Sequence, residues 1–444
     1  MRTTSKTGGV CALAAMVGLC LTVSTAPAGD WPQWRGPNFD GSSDETNLPA
    51  SPSREKDLAW AVALPGTSGA TPIVLGDRVF VSSTGRGGAD LVGLCLRASD
   101  GKVLWQRKLG RGAKVPRADL TSPSPVTDGR RVVFTYGSGD IVGLDLDGKE
   151  LWRRNLTKEY GCLAIMFGFG SSPLLYDGKL ILPVQRREKP YSYNMGADLP
   201  RQGPLDCFLL AMDPATGKTI YRHVRDTRSV DEAREAYTTP MPCEAGGRKQ
   251  VVLNGGRCVT GHDPATGKEL WRWRYKATRR LTQQRVISSI VVGHGLIFAP
   301  QARRDTGVIA LRPDGQGDVP HKRYVWRFNK PTPDASTPLI YRGRLYVLAG
   351  DFRTITCLEP KTGKVIWQKA LGGAGPYRAS PTGADGKVYC LSEGGDLVVL
   401  AAGDTFRELG RLSLKSTPTR SSVVAAAGSL LVRTARELLC FRKR

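Results

Sequence analysis

Histidine is scarce in this chain: His223, His262, His294 and His321 are the only four in 444 residues, and they are scattered without metal-ligand spacing. A histidine-based metal centre is therefore not expected. No Cys-x-x-Cys-His segment occurs, which excludes a haem attached through that motif. There is no Gly-x-Ser-x-Gly elbow and no glycine-rich phosphate loop leading into a helix, so neither a hydrolase of the elbow type nor a P-loop enzyme is indicated. One apolar run stands out, Val10 to Val23, and it falls short of the roughly 20 residues a membrane span requires.

That run sits behind Arg2 and Lys6 and ahead of Ala26-Pro27-Ala28, the layout of a secretory leader with a small-residue cleavage site. The expected division is a leader over 1–28, an N-terminal extension over 29–56 and one repeat domain over 57–444, exported to the periplasm or beyond. Lipidation is not expected, because Val10 and Leu19 precede Cys11 and Cys20 where a small residue is needed. Acidic residues are outnumbered, 40 against 64 Lys and Arg, for a formal net charge of +24. Such a balance favours anionic partners.

A repeat fills the rest. Each unit opens on Ser or Thr, continues as a short apolar strand, a Gly/Asp turn, a second strand, a variable loop, a third strand, a Gly-Lys turn and a fourth strand with an aromatic. The clearest copy runs from Thr337-Pro338 to Trp367; others open at Thr71, Ser124, Ser172, Thr239, Ser288, Ser380 and Ser421. Four short strands per period of about 40 to 50 residues indicate propeller blades. Trp105, Trp152, Tyr221, Trp271, Trp326, Trp367 and Phe406 are read as the fourth-strand aromatics, and the last repeat ends without one. Trp60, in the segment Asp57 to Leu64 ahead of the first full repeat, supplies it. The expected fold is all-β: an eight-bladed propeller with four antiparallel strands per blade, the last blade closed by the N-terminal strand. The same alignment puts Cys95, Gly143, Ala211, Gly261, Ala310, Cys357, Val399 and Cys440 at one third-strand position, which reads the cysteines as buried thiols.

The segments Ala211–Tyr221 (AMDPATGKTIY), Gly261–Trp271 (GHDPATGKELW) and Cys357–Trp367 (CLEPKTGKVIW) resemble the tryptophan-docking repeat of the pyrroloquinoline-quinone-like (quinoprotein and BamB-like) propellers. Asp30–Gly41 (DWPQWRGPNFDG) is similar to the opening of secreted proteins with this domain, and Trp31 and Trp34 are expected to cap the propeller. Asp213, Asp263 and Glu359 recur beside the third turn and are expected to cap it. For enzymatic members the resemblance implies an adjacent-cysteine disulfide against the quinone, a calcium held by acidic and amide side chains, and an aspartate base. No Cys-Cys pair exists here.

Long segments at 111–120, 157–170, 185–206, 225–236, 276–285 and 301–306 fall on one face of such a propeller, where function is expected. Its channel mouth is framed by the blade-opening hydroxyls, Ser124, Ser288, Thr337 and Ser380 among them, with Arg285 and Arg378 within reach as candidate ligand-binding groups. Lys276, Arg279, Arg280 and Arg285 form the densest basic cluster on that face. The reading that follows is a monomeric, exported, non-catalytic scaffold, without cofactor or metal, gripping a protein or an anionic cell-envelope polymer rather than nucleic acid. The alternative is a quinone-dependent dehydrogenase of alcohols or sugars carrying quinone and calcium.

Overall fold

The computed structural model describes Met1 and residues 29–443, except 114, 117, 201–202, 276–283, 302–306 and 331–332. The expected leader, Met1 aside, thus lies outside the described residues, as do Lys276, Arg279 and Arg280. Apart from the helix Leu156–Tyr160 and three short 3-10 turns, the described secondary structure is strand. It forms eight antiparallel sheets, each a blade. Blade one is Ile73–Leu75, Arg78–Thr84, Asp90–Arg97 and Val103–Arg111; blade four carries an added strand, Gly317–Val319, parallel to Glu269–Arg274.

Closure follows the sequence expectation. The strand Leu58–Ala63 pairs antiparallel with Glu437–Phe441, Trp60 opposite Cys440, and completes blade eight. Its register repeats elsewhere: Trp105 faces Cys95, Trp152 faces Gly143, Tyr221 faces Ala211, Trp271 faces Gly261, Trp326 faces Ala310 and Trp367 faces Cys357. A small residue opposite leaves the indole room to turn toward the next blade. There its N–H donates to a turn carbonyl: Trp60 to Ala98 at 2.9 Å, Trp105 to Leu146 at 2.9 Å, Trp152 to Pro214 at 3.0 Å. The turn glycine is dictated by this contact. A Cβ on Gly101, whose φ is +77°, would lie 2.8 Å from the Trp60 ring. Trp271 departs from the pattern, donating to Gln250 Oε1 at 2.7 Å while the Gln250 amide passes the link on to the Pro313 carbonyl at 2.8 Å.

Blade seven corrects one expectation. Val399 faces Gly410, not Phe406, which precedes the strand Glu408–Ser413 and packs edge-on against Trp367 at 5.4 Å. No aromatic is needed at Gly410, because Ser51 of the N-terminal extension covers it; a Cβ there would come within 2.5 Å of the Ser51 Cα. All eight described cysteines are free and buried, and burial pushes the thiols of Cys95 and Cys357 up to about 12. Asp213, Asp263 and Glu359 accept from backbone N–H groups of their own turns, as caps.

The blade-opening hydroxyls form a closed ring. Backbone N–H donates to hydroxyl from Thr71 to Ser124, to Ser172, to Thr239, to Ser289, to Thr337, to Ser380, to Ser422 and back to Thr71, at 2.9–3.2 Å. Two members differ from the sequence reading by one residue. Ser288 instead donates to the Ser336 carbonyl at 2.9 Å, and Ser421 to the Ser422 carbonyl at 3.2 Å. Both sit in Ser-Ser pairs, where strand phase alone selects the second hydroxyl.

The N-terminal extension crosses the channel on the short-turn face. Trp31 bridges to Val74, the Pro32 carbonyl accepts from Thr127 at 2.9 Å, the Gln33 amide accepts from Leu175 at 3.0 Å, and Ser43 and Gly41 exchange hydrogen bonds with Gly383. Arg35 lies at the centre, only 2% exposed, its guanidinium donating to the carbonyls of Pro338 at 2.8 Å, Pro381 at 3.0 Å and Asp40 at 2.5 Å. Burial lowers its pKa to about 10. The expected cap is thus a stopper.

Replacing Trp60 with Ala is expected to cost about 3–5 kcal/mol in urea unfolding. Ser422→Ala, which strands the buried Ser380 N–H, should cost about 1–3 kcal/mol. Ser421→Ala should cost less than half as much as Ser422→Ala; equal costs would place the ring member at Ser421.

Candidate functional site at the channel mouth

Above the ring the channel opens into a cavity of about 770 Å³ on the long-loop face. Once the ring register is set, its lining has a rule: the residue two before each ring member faces the cavity. These are Gly69, Ser122, Gly170, Tyr237, Ile287, Ala335, Arg378 and Arg420. Asp119, Phe167, Arg285 and Asp334 join them from the same inter-blade connections, and Trp34 joins from the stopper, adjacent to the buried Arg35. Of the residues singled out from sequence, Ser124, Ser380, Arg285 and Arg378 line this space, Thr337 stands in the ring without lining it, and Ser288 does neither. Sequence reasoning missed Asp119, Asp334, Phe167, Tyr237 and Arg420 as site residues, and Trp34 was read only as a cap.

The guanidinium groups are not bare. Arg378 meets Asp351 at 2.7 Å, Asp334 at 3.3 Å and Glu393 at 4.0 Å, and Arg420 meets Glu393 at 2.7 Å. Arg285 pairs with Glu232 and lies 4.9 Å over the Phe167 ring. Carboxylates from neighbouring blades therefore balance the arginines, so the mouth is polar and charged rather than simply basic. Such pairing fixes the direction of each guanidinium fork.

One wall is aromatic. Phe167 and Tyr237 lie 6.1 Å apart, and the Tyr237 hydroxyl accepts from the Phe167 N–H at 3.1 Å and donates to Glu235 at 3.3 Å. Burial, reinforced by the Glu235 carboxylate, holds the Tyr237 phenol well above its usual range. Glu235 is wholly buried, which raises its pKa against the opposing pull of the Met166 N–H and Arg187. Two carboxylates reach the cavity itself. Asp119 is taken up by the Gly69 N–H at 2.6 Å, the Thr121 N–H at 2.9 Å and the Thr121 hydroxyl at 2.7 Å. Asp334, with a side chain 11% exposed, has Arg378 beside it.

The family described as outer membrane protein assembly factor BamB matches residues 42–166 and 318–426, more than half of the chain. The chain belongs to this family. A polyvinylalcohol dehydrogenase of Sphingopyxis sp. (strain 113P3) is 23% identical over 83% of the chain and 55% of its own length. A second polyvinylalcohol dehydrogenase, from Pseudomonas sp, is 26% identical over 37% of the chain and 24% of its own length. The chain thus spans about half the length of the first of these curated relatives, and less of the second. Among solved structures, a europium-containing methanol dehydrogenase superposes with a TM-score of 0.69 at 12% identity, over 94% of this chain and 89% of that one.

These findings correct the expectation of a non-catalytic scaffold with no cofactor: the curated relatives are named as dehydrogenases, and the alternative reading is the better supported. The fold likeness, at 12% identity, speaks for the propeller alone. No helix among the described residues is long and apolar enough to cross a membrane.

Proposed function

We propose that this BamB-family chain is an exported dehydrogenase of alcohols whose channel mouth holds pyrroloquinoline quinone. The observation that carries the reading is the mouth's combination of fixed guanidinium groups, an aromatic wall at Phe167 and Tyr237, and a floor at Trp34. Pyrroloquinoline quinone is flat and carries several carboxylates, and the donor set suits it: rings for its faces, and Arg285, Arg378 and Arg420 for its carboxylates. The cavity, at about 770 Å³, has room for it and for a small alcohol. Calcium does not fit the same test. Asp119 is already taken up by three local donors, and among the described residues no group of three His, Cys, Asp or Glu side chains could hold a metal ion. No step is therefore assigned to a metal.

When bound, the quinone supplies an acceptor for the two electrons of alcohol oxidation. Asp334 is positioned to take the hydroxyl proton of the alcohol, and Arg378, 3.3 Å away, holds that carboxylate in place. The stopper shuts out bulk water from below. Eight blade-opening hydroxyls hold the surrounding loops in place. The names of the curated relatives support a polymeric or small secondary alcohol as substrate.

Titration of the purified protein with pyrroloquinoline quinone, followed by absorbance and then by dye reduction with polyvinyl alcohol and short secondary alcohols, tests the proposal. Stoichiometric binding and turnover are expected. Asp334→Asn should lower kcat by about 100-fold or more with quinone affinity retained, whereas Trp34→Ala should weaken quinone binding. A protein that takes up no quinone at saturating concentrations would end this reading.

A further inference from the structure

A second space adjoins the mouth. It is a groove of about 1170 Å³ on the same face, bounded by Leu64–Gly69 leading into blade one, Thr84–Gly88 in blade one, described residues between Ala113 and Leu120 leading into blade two, and Pro418, Arg420 and Arg436 of blade eight. The groove and the mouth share Gly69, Ala118, Asp119 and Arg420, so they meet at a saddle. Gly69 keeps the saddle low. A Cβ there would lie 3.2 Å from the Asp119 carboxylate, 3.7 Å from the Ser122 hydroxyl and 3.8 Å from the Arg420 Cβ. The groove alone exceeds the roughly 300–1,000 Å³ of sites for single drug-sized ligands.

Its charge differs from that of the mouth. Arg86 and Arg436 are exposed on its lips, and neither makes an ion pair among the described residues. Arg420 stands at the saddle, its side chain 52% exposed and paired, among the described residues, only to Glu393. Asp119 is the one carboxylate among the described lining residues, and it is held by local donors. Around Gly87 and Gly88 the backbone is open to an incoming chain, since a Cβ at either would meet nothing within 4 Å. Positive on both lips and continuous with the mouth, the groove suits a linear anionic polymer.

We propose that this groove binds an extended, carboxylated polyol chain, with Arg86 and Arg436 pairing its carboxylates and the Gly69 saddle passing one end into the mouth. The oxidation of that end rests on the dehydrogenase reading above; the binding does not. Calorimetric titration of the purified protein with hexagalacturonate, maltohexaose and monomeric galacturonate, at low and raised salt, separates the two. The hexagalacturonate should bind, should weaken with salt, and should exceed both maltohexaose and the monomer in affinity by about 10-fold or more, the scale of one charge-assisted hydrogen bond. Arg86→Ser with Arg436→Ser should lose about 10-fold in affinity for hexagalacturonate and flatten its salt response. Because both side chains are exposed, the double variant should melt as the wild type does. Absent hexagalacturonate binding, equal binding of maltohexaose or of the monomer, or an unaltered double variant would each overturn the proposal. Quinone uptake by the mouth, read separately by absorbance, is unaffected by any of these results.

Discussion

A hydrogen bond leaves the opening amide of every blade and arrives at the opening hydroxyl of the next, until the eighth returns to Thr71. Those amides begin the innermost strands, where they face a channel rather than a neighbouring strand, and a buried N–H left without an acceptor is costly. Ser or Thr at each position answers that need with the shortest side chain able to do so. Because the bonds all run in one sense around the axis, each blade is spaced from the next by the same contact. Everything placed just ahead of the ring then falls on a circle, which is how Tyr237, Arg378 and Arg420, far apart in sequence, come to line one cavity.

A second layer of contacts locks the outer radius. The indoles of Trp60, Trp105 and Trp152 reach the third turn of the following blade, and the glycine of that turn lies against the ring. Trp60 does this for the joint between the last blade and the first, so the velcro of Leu58–Ala63 is both a missing strand and a missing docking residue. Where blade seven lacks the aromatic, the N-terminal extension supplies Ser51 instead. The two layers make the scaffold rigid enough for its inter-blade connections to vary freely, and the arginine–carboxylate pairs of the mouth are drawn from several different connections.

Legibility followed repetition. The third-strand small residues and six of the seven expected fourth-strand aromatics within the repeats could be aligned because each recurs with its turn glycine, and the strand register reproduces that alignment. Phe406 misled because it is the nearest aromatic to a place that requires none. Ser288 and Ser421 misled because a neighbouring serine offers the same chemistry one residue on, and only the phase of the strand separates them. The mouth was harder to read. Asp334, Phe167 and Glu235 belong to connections with no repeat, and the neutralising of Arg378 by Asp351 and Glu393 depends on loops that are distant in sequence. A basic cluster read from the sequence does not show which cation faces which anion.

The stopper has a consequence for traffic. With Arg35 bound to the carbonyls of Pro338 and Pro381 beneath the ring, and Trp34 beside it, the channel has a closed end. Whatever settles deepest must arrive first and leave last, and a later arrival seals it in. The chamber works as a cul-de-sac: its occupants stack in order of entry, and exchange of the innermost one waits on the departure of everything above it.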